Sequence, residues 1–351
     1  YFPGKPIEEV KRELGLDNVI KLASNENPLG PSPLAQKAVA SAVNQLHFYP
    51  DSNCYELKRK LSQKYDQPVD TVLVGNGSDE ILKLIAETFL NPGDEVILPQ
   101  PTFSEYQFSA TVMDGVCLSV PLRDFTLDLP AMLEAITQRT KILFICNPNN
   151  PTGTIVTQEQ LDRFMEEIPD HVLVVFDEAY SEYADSNDFI SGLKYLQQGK
   201  NVVVCHTFSK IYGLAALRIG YAFTTVEIAD AVKRVTEPFN VNLLAQKAAF
   251  AALDDSEHLQ ASRELNWQGK EYLYQQFDAM GLKYVPTQAN FIFLDTGKDC
   301  RQVFQRLLQL GVIVRTGDIF GYPTYLRVTV GTAEENTRFI HSLQSVLESL
   351  S

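Results

Sequence analysis

Four short runs that consist mainly of apolar residues constrain the fold of this 351-residue chain more than any other feature. The runs lie at residues 94–98, 141–146, 172–176 and 202–205, and stretches with helical periodicity separate them. A strand that is apolar on both sides must be buried on both faces, as in a parallel sheet covered by helices. We therefore predict an α/β fold with a mostly parallel central sheet flanked by helices, with a further strand at 71–75 and a helix at 79–89. Ligands of such sheets bind beyond the carboxyl ends of the strands, so the residues after each run are candidate site residues.

A second, smaller domain is predicted after the apolar runs. Beyond about residue 240 the chain mixes helical stretches with strands, which indicates an α+β domain. The predicted helices span residues 246–252, 256–280 and 300–310, and the predicted strands span 291–294, 312–315 and 325–330. Residues 1–29 are rich in Pro, Gly and Asn and form a predicted arm without its own core. The predicted organisation is an arm at 1–29, a large domain at 30–245 and a small C-terminal domain at 246–351.

Charge and composition disfavour several classes of function. The formal net charge of −14 repels nucleic-acid backbones, so we predict no nucleic-acid partner. No apolar stretch reaches the length of a membrane span, so we predict no membrane association. The five cysteines are odd in number and contain no C-x-x-C pair, which favours reduced thiols and a cytoplasmic location, and we predict no metal site.

Polar residues follow each predicted strand. Ser78 and Asp79 begin a helix directly after Gly77, where the free N–H groups of the helix can bind an anion. The same two residues also fit an ordinary helix start that binds nothing. Tyr106 follows the run at 94–98 and either stacks on a planar ring or belongs to the core.

The next two strand ends supply an amide and a carboxylate. Asn150 lies in a turn with two Asn-Pro steps, which exposes a side-chain donor. Asp177 ends the run at 172–176, where a buried carboxylate is costly unless a cation or donor pairs with it. Tyr180 follows closely and can reach the same ligand.

After the last run come Ser209 and Lys210, and Arg218 follows in the next stretch. An amine beside a hydroxyl and a guanidinium suits a phosphorylated aldehyde, since the amine forms an imine and the other two groups bind the phosphate. Each residue is common alone, but together the strand ends supply the parts of a site for pyridoxal 5'-phosphate (PLP). The predicted contacts are the Schiff base of Lys210, the ring-nitrogen partner Asp177, the 3-oxygen donors Asn150 and Tyr180, the ring cover Tyr106, and the phosphate neighbours Ser78, Asp79, Ser209 and Arg218.

Nearly the whole chain, from residue 21 to residue 332, resembles the fold-type-I PLP-dependent aminotransferase superfamily. Within it, the chain most resembles the histidinol-phosphate aminotransferases. The motifs that carry this resemblance are N-E-N-P at 25–28, Y-P-D at 49–51, G-N-G-S-D-E at 75–80, C-N-P-N-N-P-T-G at 146–153 and F-D-E-A-Y at 176–180. The resemblance implies a large PLP-binding domain, a smaller C-terminal domain and a homodimer, with the arm packed against the small domain and the dimer partner.

The resemblance also implies residues that spacing alone does not identify. Tyr49 would reach across the homodimer interface to the cofactor phosphate of the partner subunit. Asn27, Arg315 and Arg327 would bind substrate, and a guanidinium suits a carboxylate or phosphate because it donates two parallel hydrogen bonds.

The implied reaction is the transamination of L-histidinol phosphate with 2-oxoglutarate in histidine biosynthesis, with Lys210, Asp177 and Tyr180 as catalytic residues. Its partners would be a small-molecule amino donor and a 2-oxo acid acceptor. An aminotransferase for aromatic amino acids is the nearest alternative, and a threonine-phosphate decarboxylase is a further one. The acidic charge disfavours a PLP-binding regulator of transcription, and Lys210, Asp177 and Arg218 together disfavour a cofactor-free scaffold.

Overall fold

The computed structural model describes residues 6–350, which form two lobes with separate cores. The helices are α1 (Ile7–Leu14), α2 (Pro33–Ala42), α3 (Tyr55–Tyr65), α4 (Ser78–Phe89), α5 (Ser104–Val112), α6 (Leu129–Glu134), α7 (Gln158–Glu167), α8 (Leu193–Gln197), α9 (Val226–Lys233), α10 (Leu243–Ala252), α11 (Ser256–Ala279), α12 (Cys300–Gln309) and α13 (Ala333–Ser349). The strands are β1 (Ile20–Lys21), β2 (Val72–Gly75), β3 (Glu95–Gln100), β4 (Val116–Pro121), β5 (Thr140–Cys146), β6 (Leu173–Asp177), β7 (Val202–Thr207), β8 (Gly220–Phe223), β9 (Lys283–Val285), β10 (Phe291–Asp295), β11 (Val312–Ile313), β12 (Arg315–Thr316) and β13 (Tyr325–Thr329). No helix within residues 6–350 combines the length and apolarity that crossing a bilayer requires.

The large lobe is built on a seven-stranded sheet of order β2-β8-β7-β6-β5-β3-β4. All neighbouring strands are parallel except β8, which is antiparallel to both β2 and β7. Along β6, Val174 and Phe176 pack into one core, whereas Leu173 and Val175 pack into the core on the opposite face. This burial on both faces explains the apolar runs of the sequence and confirms the predicted α/β fold.

The candidate site residues meet at one edge of this sheet because of its strand directions. The parallel strands β3, β5, β6 and β7 all end there. The antiparallel return of β8 keeps the connection from Thr207 to Gly220 at the same edge, so Lys210 and Arg218 both lie beside the strand ends. The strand β2 also ends at this edge, and α4 begins directly after it.

The small lobe contains a four-stranded antiparallel sheet of order β12-β13-β10-β9. Its core includes Leu273 and Phe277 of α11, Val328 of β13 and Phe339 of α13. The prediction of a single strand at 312–315 is wrong, because the chain leaves one sheet and enters another within these four residues. The strand β11 pairs with β1 of the arm, whereas β12 pairs with β13.

The N-terminal arm shares its core with the small lobe. Val10 of α1 and Ala23 pack against Leu308 and Ile313, and β1 forms a parallel pair with β11. The domain limits at 30–245 and 246–351 stay predictions. The boundary between residues 245 and 246 falls inside α10. Residues of this helix from Ala245 onward belong to the core of the large lobe, and the helix packs against α2, so we propose that the large domain ends after α10.

Candidate active site

A cavity of about 600 Å³ opens at the carboxyl edge of the large sheet, between this sheet and the small lobe. It brings together most of the side chains that the sequence singled out. Those that line it are Ser78, Asp79, Asn150, Asp177, Tyr180, Ser209, Lys210, Arg218, Arg315 and Arg327. The remaining three predicted residues, Tyr49, Asn27 and Tyr106, do not line this cavity.

Lys210 follows β7 and is held at the floor of the cavity. Its Nζ donates to the main-chain oxygen of Ser24 at 3.2 Å and lies 5.6 Å from the centre of the Tyr180 ring. Burial, and to a smaller extent the positive charge of Arg327, lower the pKa of Lys210 from its ordinary value of 10.5 to about 8. The amine is therefore neutral for part of the time near neutral pH, as nucleophilic or proton-transfer chemistry requires.

Asp177 is the last residue of β6 and is almost fully buried. Its Oδ2 accepts a hydrogen bond from the Tyr106 hydroxyl at 2.6 Å, and its Oδ1 accepts one from the Ala179 N–H at 3.2 Å. Burial raises the pKa of Asp177 to about 6, although both hydrogen bonds act to lower it. A cationic ligand group placed against this carboxylate would keep it ionised.

An anion cradle lies at the start of α4. The N-cap position is Gly77, whose φ of +87° suits glycine, and Ser78 is the first helical residue. Arg218 donates from Nη2 to Asp79 at 2.7 Å and from Nη1 to the oxygen of Ala215 at 3.2 Å. A helix N-terminus beside a guanidinium favours a phosphate group.

Asn150 and Arg327 connect the two lobes across the cavity. Arg327 Nη1 donates to Asn150 Oδ1 at 2.6 Å, and Arg327 Nη2 donates to the main-chain oxygen of Ala23 at 2.7 Å. Since Oδ1 of Asn150 accepts from Arg327, its Nδ2 group is the one that can donate to a ligand.

Two arginines of the small lobe face each other in the sheet. Arg315 of β12 and Arg327 of β13 are directly opposite in the antiparallel register, and both line the cavity. Like charges in that relation destabilise a pair of strands, and an anion between them removes the penalty. Phe320 and Ile319 lie beside them as apolar cavity wall.

Comparison with known proteins identifies the family. The model of the family "Aminotransferase class I and II" matches residues 17–343. The chain belongs to the class I and II aminotransferases. The histidinol-phosphate aminotransferase of Moorella thermoacetica is 58% identical over 348 residues, covering 99% of this chain and 90% of that protein. The protein of the same name from Caldicellulosiruptor saccharolyticus is 50% identical over 347 residues, covering 99% of this chain and 97% of that protein.

The solved structures agree with this assignment. A crystal structure of histidinol-phosphate aminotransferase from Sinorhizobium meliloti, in complex with pyridoxal-5'-phosphate, matches with a TM-score of 0.93 at 26% identity. The match covers 100% of this chain and 96% of that one. The expected superfamily and its two-lobed α/β fold are therefore confirmed.

Tyr106 has a different place in this aminotransferase from the one predicted. It lies within α5, is fully buried and stacks on Phe144 with 4.6 Å between ring centres. Its side chain contacts Phe144 of β5 and Asp177 of β6 and does not line the cavity, so it is not placed to cover a ring there. Phe103, directly before α5, lines the cavity and is the aromatic residue at the start of this helix that is available for that role.

Asn27 also differs from its predicted substrate-binding role. It is buried outside the cavity, where its Nδ2 donates to the oxygen of Ile211 at 2.7 Å and to Ser262 Oγ at 2.9 Å. The residues of this segment that line the cavity are Ser24, Asn25 and Glu26, none of which was predicted as a site residue. Tyr49 is 82% exposed and stacks on Phe239, so its contact with a partner subunit stays a prediction.

The residues at the sheet edge fit PLP. The carboxylate of Asp177 suits a pyridinium N–H, and the amine of Lys210 suits the aldehyde. At the cradle, a Cβ added to Gly77 would lie only 2.5 Å from Nη2 of Arg218, so the close approach of backbone and guanidinium depends on glycine. Thr207 lines the cavity beside Ser209 and is a further neighbour that sequence patterns did not reveal.

Proposed function

We propose that this aminotransferase binds PLP and transfers an amino group between L-histidinol phosphate and 2-oxoglutarate. One observation carries the proposal: a buried lysine amine of lowered pKa lies in one cavity with a buried carboxylate and two facing arginines. The 50–58% identity to proteins named histidinol-phosphate aminotransferase supports this substrate over an aromatic amino acid.

The cofactor would be held by the large lobe. Its ring nitrogen would meet Asp177, its 3-oxygen would accept from Asn150 and Tyr180, and Phe103 would cover one face of the ring. Its phosphate would occupy the cradle formed by Ser78, Asp79, Ser209 and Arg218. Bound there, PLP supplies an electron sink for the bond that breaks at the substrate's Cα.

Lys210 would both hold the cofactor and move the proton. With the substrate amine in its place, its neutral Nζ would accept the proton from the substrate's Cα and would deliver it to the carbon of the cofactor's former aldehyde group. The lowered pKa keeps a fraction of the amine neutral at physiological pH. Tyr180 keeps its proton because burial raises the pKa of its phenol, so it can act as a hydrogen-bond donor.

Arg327 and Arg315 would bind the anionic end of each substrate. Histidinol phosphate has no α-carboxylate, so the pair would hold its phosphate in one half-reaction and a glutamate carboxylate in the other. A guanidinium accommodates both because its planar fork matches either group. Two cations also suit the double charge of a phosphate.

A homodimer is part of the proposal. Phe48, Tyr49, Tyr55 and Phe239 are all exposed on the described chain, and Tyr49 stacks on Phe239. The residue after Phe239, Asn240, donates to Glu80 in the first turn of α4. Covering these aromatic side chains with a second copy would bury them and bring Tyr49 toward the partner's cofactor phosphate.

A substrate panel on the purified, PLP-loaded protein tests the proposal. We expect kcat/KM for histidinol phosphate with 2-oxoglutarate to exceed that for phenylalanine or tyrosine, and no CO₂ release from phosphothreonine. Arg327→Lys should lower kcat/KM by about 10- to 100-fold, because a charge-assisted bidentate contact is lost. A strong preference for phenylalanine would replace the proposed substrate.

The cofactor attachment has its own test. Borohydride reduction followed by peptide mass mapping should place the cofactor label on Lys210 and nowhere else. Lys210→Ala should remove the visible absorbance of the imine while still allowing some non-covalent binding of the cofactor. A label on another lysine, or wild-type turnover by Lys210→Ala, would overturn the assignment.

A further inference from the structure

Asn25 is a buried polar residue of the cavity to which no role has yet been given. Only 1% of its surface is exposed, and its φ is +56°. Its side-chain Nδ2 donates to the Tyr180 hydroxyl oxygen at 2.8 Å. Its other three polar groups are bonded to the small lobe, where its N–H donates to Thr329 Oγ1 at 2.9 Å, its Oδ1 accepts from that hydroxyl at 3.2 Å, and its main-chain oxygen accepts from Asn290 at 3.0 Å.

The direction of the bond between Asn25 and Tyr180 is determined by the donor. An amide nitrogen has protons but no acceptor lone pair, so the phenol oxygen must accept at this contact. The single proton of the Tyr180 hydroxyl is therefore available in another direction. Tyr180 lines the cavity together with Lys210 and Asn150, so its hydroxyl proton can point into the space that the cofactor would fill.

We propose that Asn25 is a positioning residue, which turns Tyr180 into a hydrogen-bond donor toward the 3-oxygen of PLP. The inference rests on the proposed function, because it needs PLP in this cavity. It also gives the arm a function in the site. Asn25 is held by Thr329 and Asn290 of the small lobe, and it in turn orients the Tyr180 hydroxyl in the large lobe.

The neighbouring contacts of the arm agree with such a task. The main-chain oxygen of Ser24 accepts from Lys210 Nζ, and that of Ala23 accepts from Arg327. Three consecutive residues thus contact the proposed proton carrier, the proposed anion binder and the phenol. The left-handed backbone at Asn25 also fits the residue type, because Asn and Asp tolerate positive φ better than other side chains.

Asn25→Asp is the decisive substitution. Aspartate has the same shape and tolerates the same φ, and its oxygen can still accept from Thr329. At the contact with Tyr180, however, a carboxylate can only accept, so the hydrogen bond reverses and the phenol proton turns away from the cofactor. Without that donor the ring's 3-oxygen becomes a better acceptor for the proton on the Lys210 nitrogen, which retains it to higher pH.

The readout is the pH at which the visible absorbance band of the PLP-loaded protein changes, and it needs no substrate. We expect the midpoint in Asn25→Asp to rise by about 0.5 to 1 pH unit, the worth of one hydrogen bond. Tyr180→Phe should also raise the midpoint pH. Asn25→Gly, which also tolerates positive φ but removes the donor, should give a smaller rise.

The double variant separates positioning from simple electrostatics. If Asn25 acts through Tyr180, adding Asn25→Asp to Tyr180→Phe should shift the midpoint no further. A full additional shift would mean that the new carboxylate acts directly on the cofactor, and it would overturn the inference. An unshifted band in both Asn25→Asp and Asn25→Gly would overturn it as well, while the proposed function would stand. Absence of any pH-dependent band in the wild type would overturn both.

Discussion

The lowered pKa of Lys210 makes the stability of the cofactor-free protein depend on pH in a defined direction. The amine has a pKa of about 8 when folded and 10.5 as its ordinary value, so between these limits the unfolded chain binds more protons. Stability therefore rises as the pH increases through this window, because the buried charge is lost from the folded state. Lys210→Met removes the charge and should remove this dependence.

The magnitude follows from the two pKa values. The fall from 10.5 to about 8 corresponds to roughly 3 kcal/mol of destabilisation at pH 7, and to roughly 1 to 2 kcal/mol at pH 9.5. Lys210→Met should therefore melt at a higher temperature than the wild type at both pH values. With the usual unfolding entropy per residue over 351 residues, the differences are about 4 °C at pH 7 and about 2 °C at pH 9.5.

Thermal unfolding of the cofactor-free wild type and variant, followed by circular dichroism at the two pH values, measures this difference. Comparing two proteins at each pH cancels the titration of all other groups. Lys83→Met, at a half-exposed position of α4, is the control and should show no pH-dependent difference. If Lys210→Met were no more stable than the wild type at pH 7, or if its advantage grew with pH, the assigned burial of a charged amine would be refuted.

Two further substitutions test the cavity. Gly77→Ala should weaken PLP binding by about 10- to 100-fold, because the new Cβ would displace the Arg218 guanidinium. Gly93→Ala is the control: Gly93 has a similar φ of +85° but open space around it, so this substitution should leave the affinity for PLP unchanged. Fluorescence titration of the cofactor-free proteins compares them, and equal losses would exclude displacement of Arg218 as the cause. Tyr106→Phe removes a hydrogen bond that lowers the pKa of Asp177, so this pKa should rise. As a result, the pH below which the affinity for PLP declines should move upward, and binding near neutral pH should be about five-fold weaker. If that pH were unchanged, Tyr106 would not influence the carboxylate.

The central sheet could be predicted because its residues face apolar surroundings on both sides. The strands at 141–146, 172–176 and 202–205 stand out for this reason, and the structure has them within two residues. The edge strand β4 was missed because its exposed side carries no such pattern, and the four-residue strand β8 was missed as well. The split between β11 and β12 depends on pairing with the distant arm, which local sequence does not encode.

The cavity lining includes predicted residues that lie at the end of a strand or just beyond it, as with Asp177 and Lys210, and their roles stay predictions. The sequence did not show which side chains enter the cavity where side-chain direction decides this. Tyr106 and Phe103 are three positions apart around the start of α5, and only the packing of that helix determines which ring enters the cavity. Likewise, Asn25 and Asn27 share one motif, and the positive φ at Asn25 sends their side chains to different places.

The segment before Asn25 serves the cavity through its peptide oxygens, at Ala23 and Ser24, and not through its side chains. Substitution of the side chain of Ala23 or Ser24 would leave the hydrogen bonds to Arg327 and Lys210 intact. Deleting a single residue would instead displace the following carbonyls by about 3.8 Å, beyond hydrogen-bonding range. Chain length in this stretch is thus under tighter physical constraint than residue identity, and insertions or deletions should be far less tolerated than substitutions.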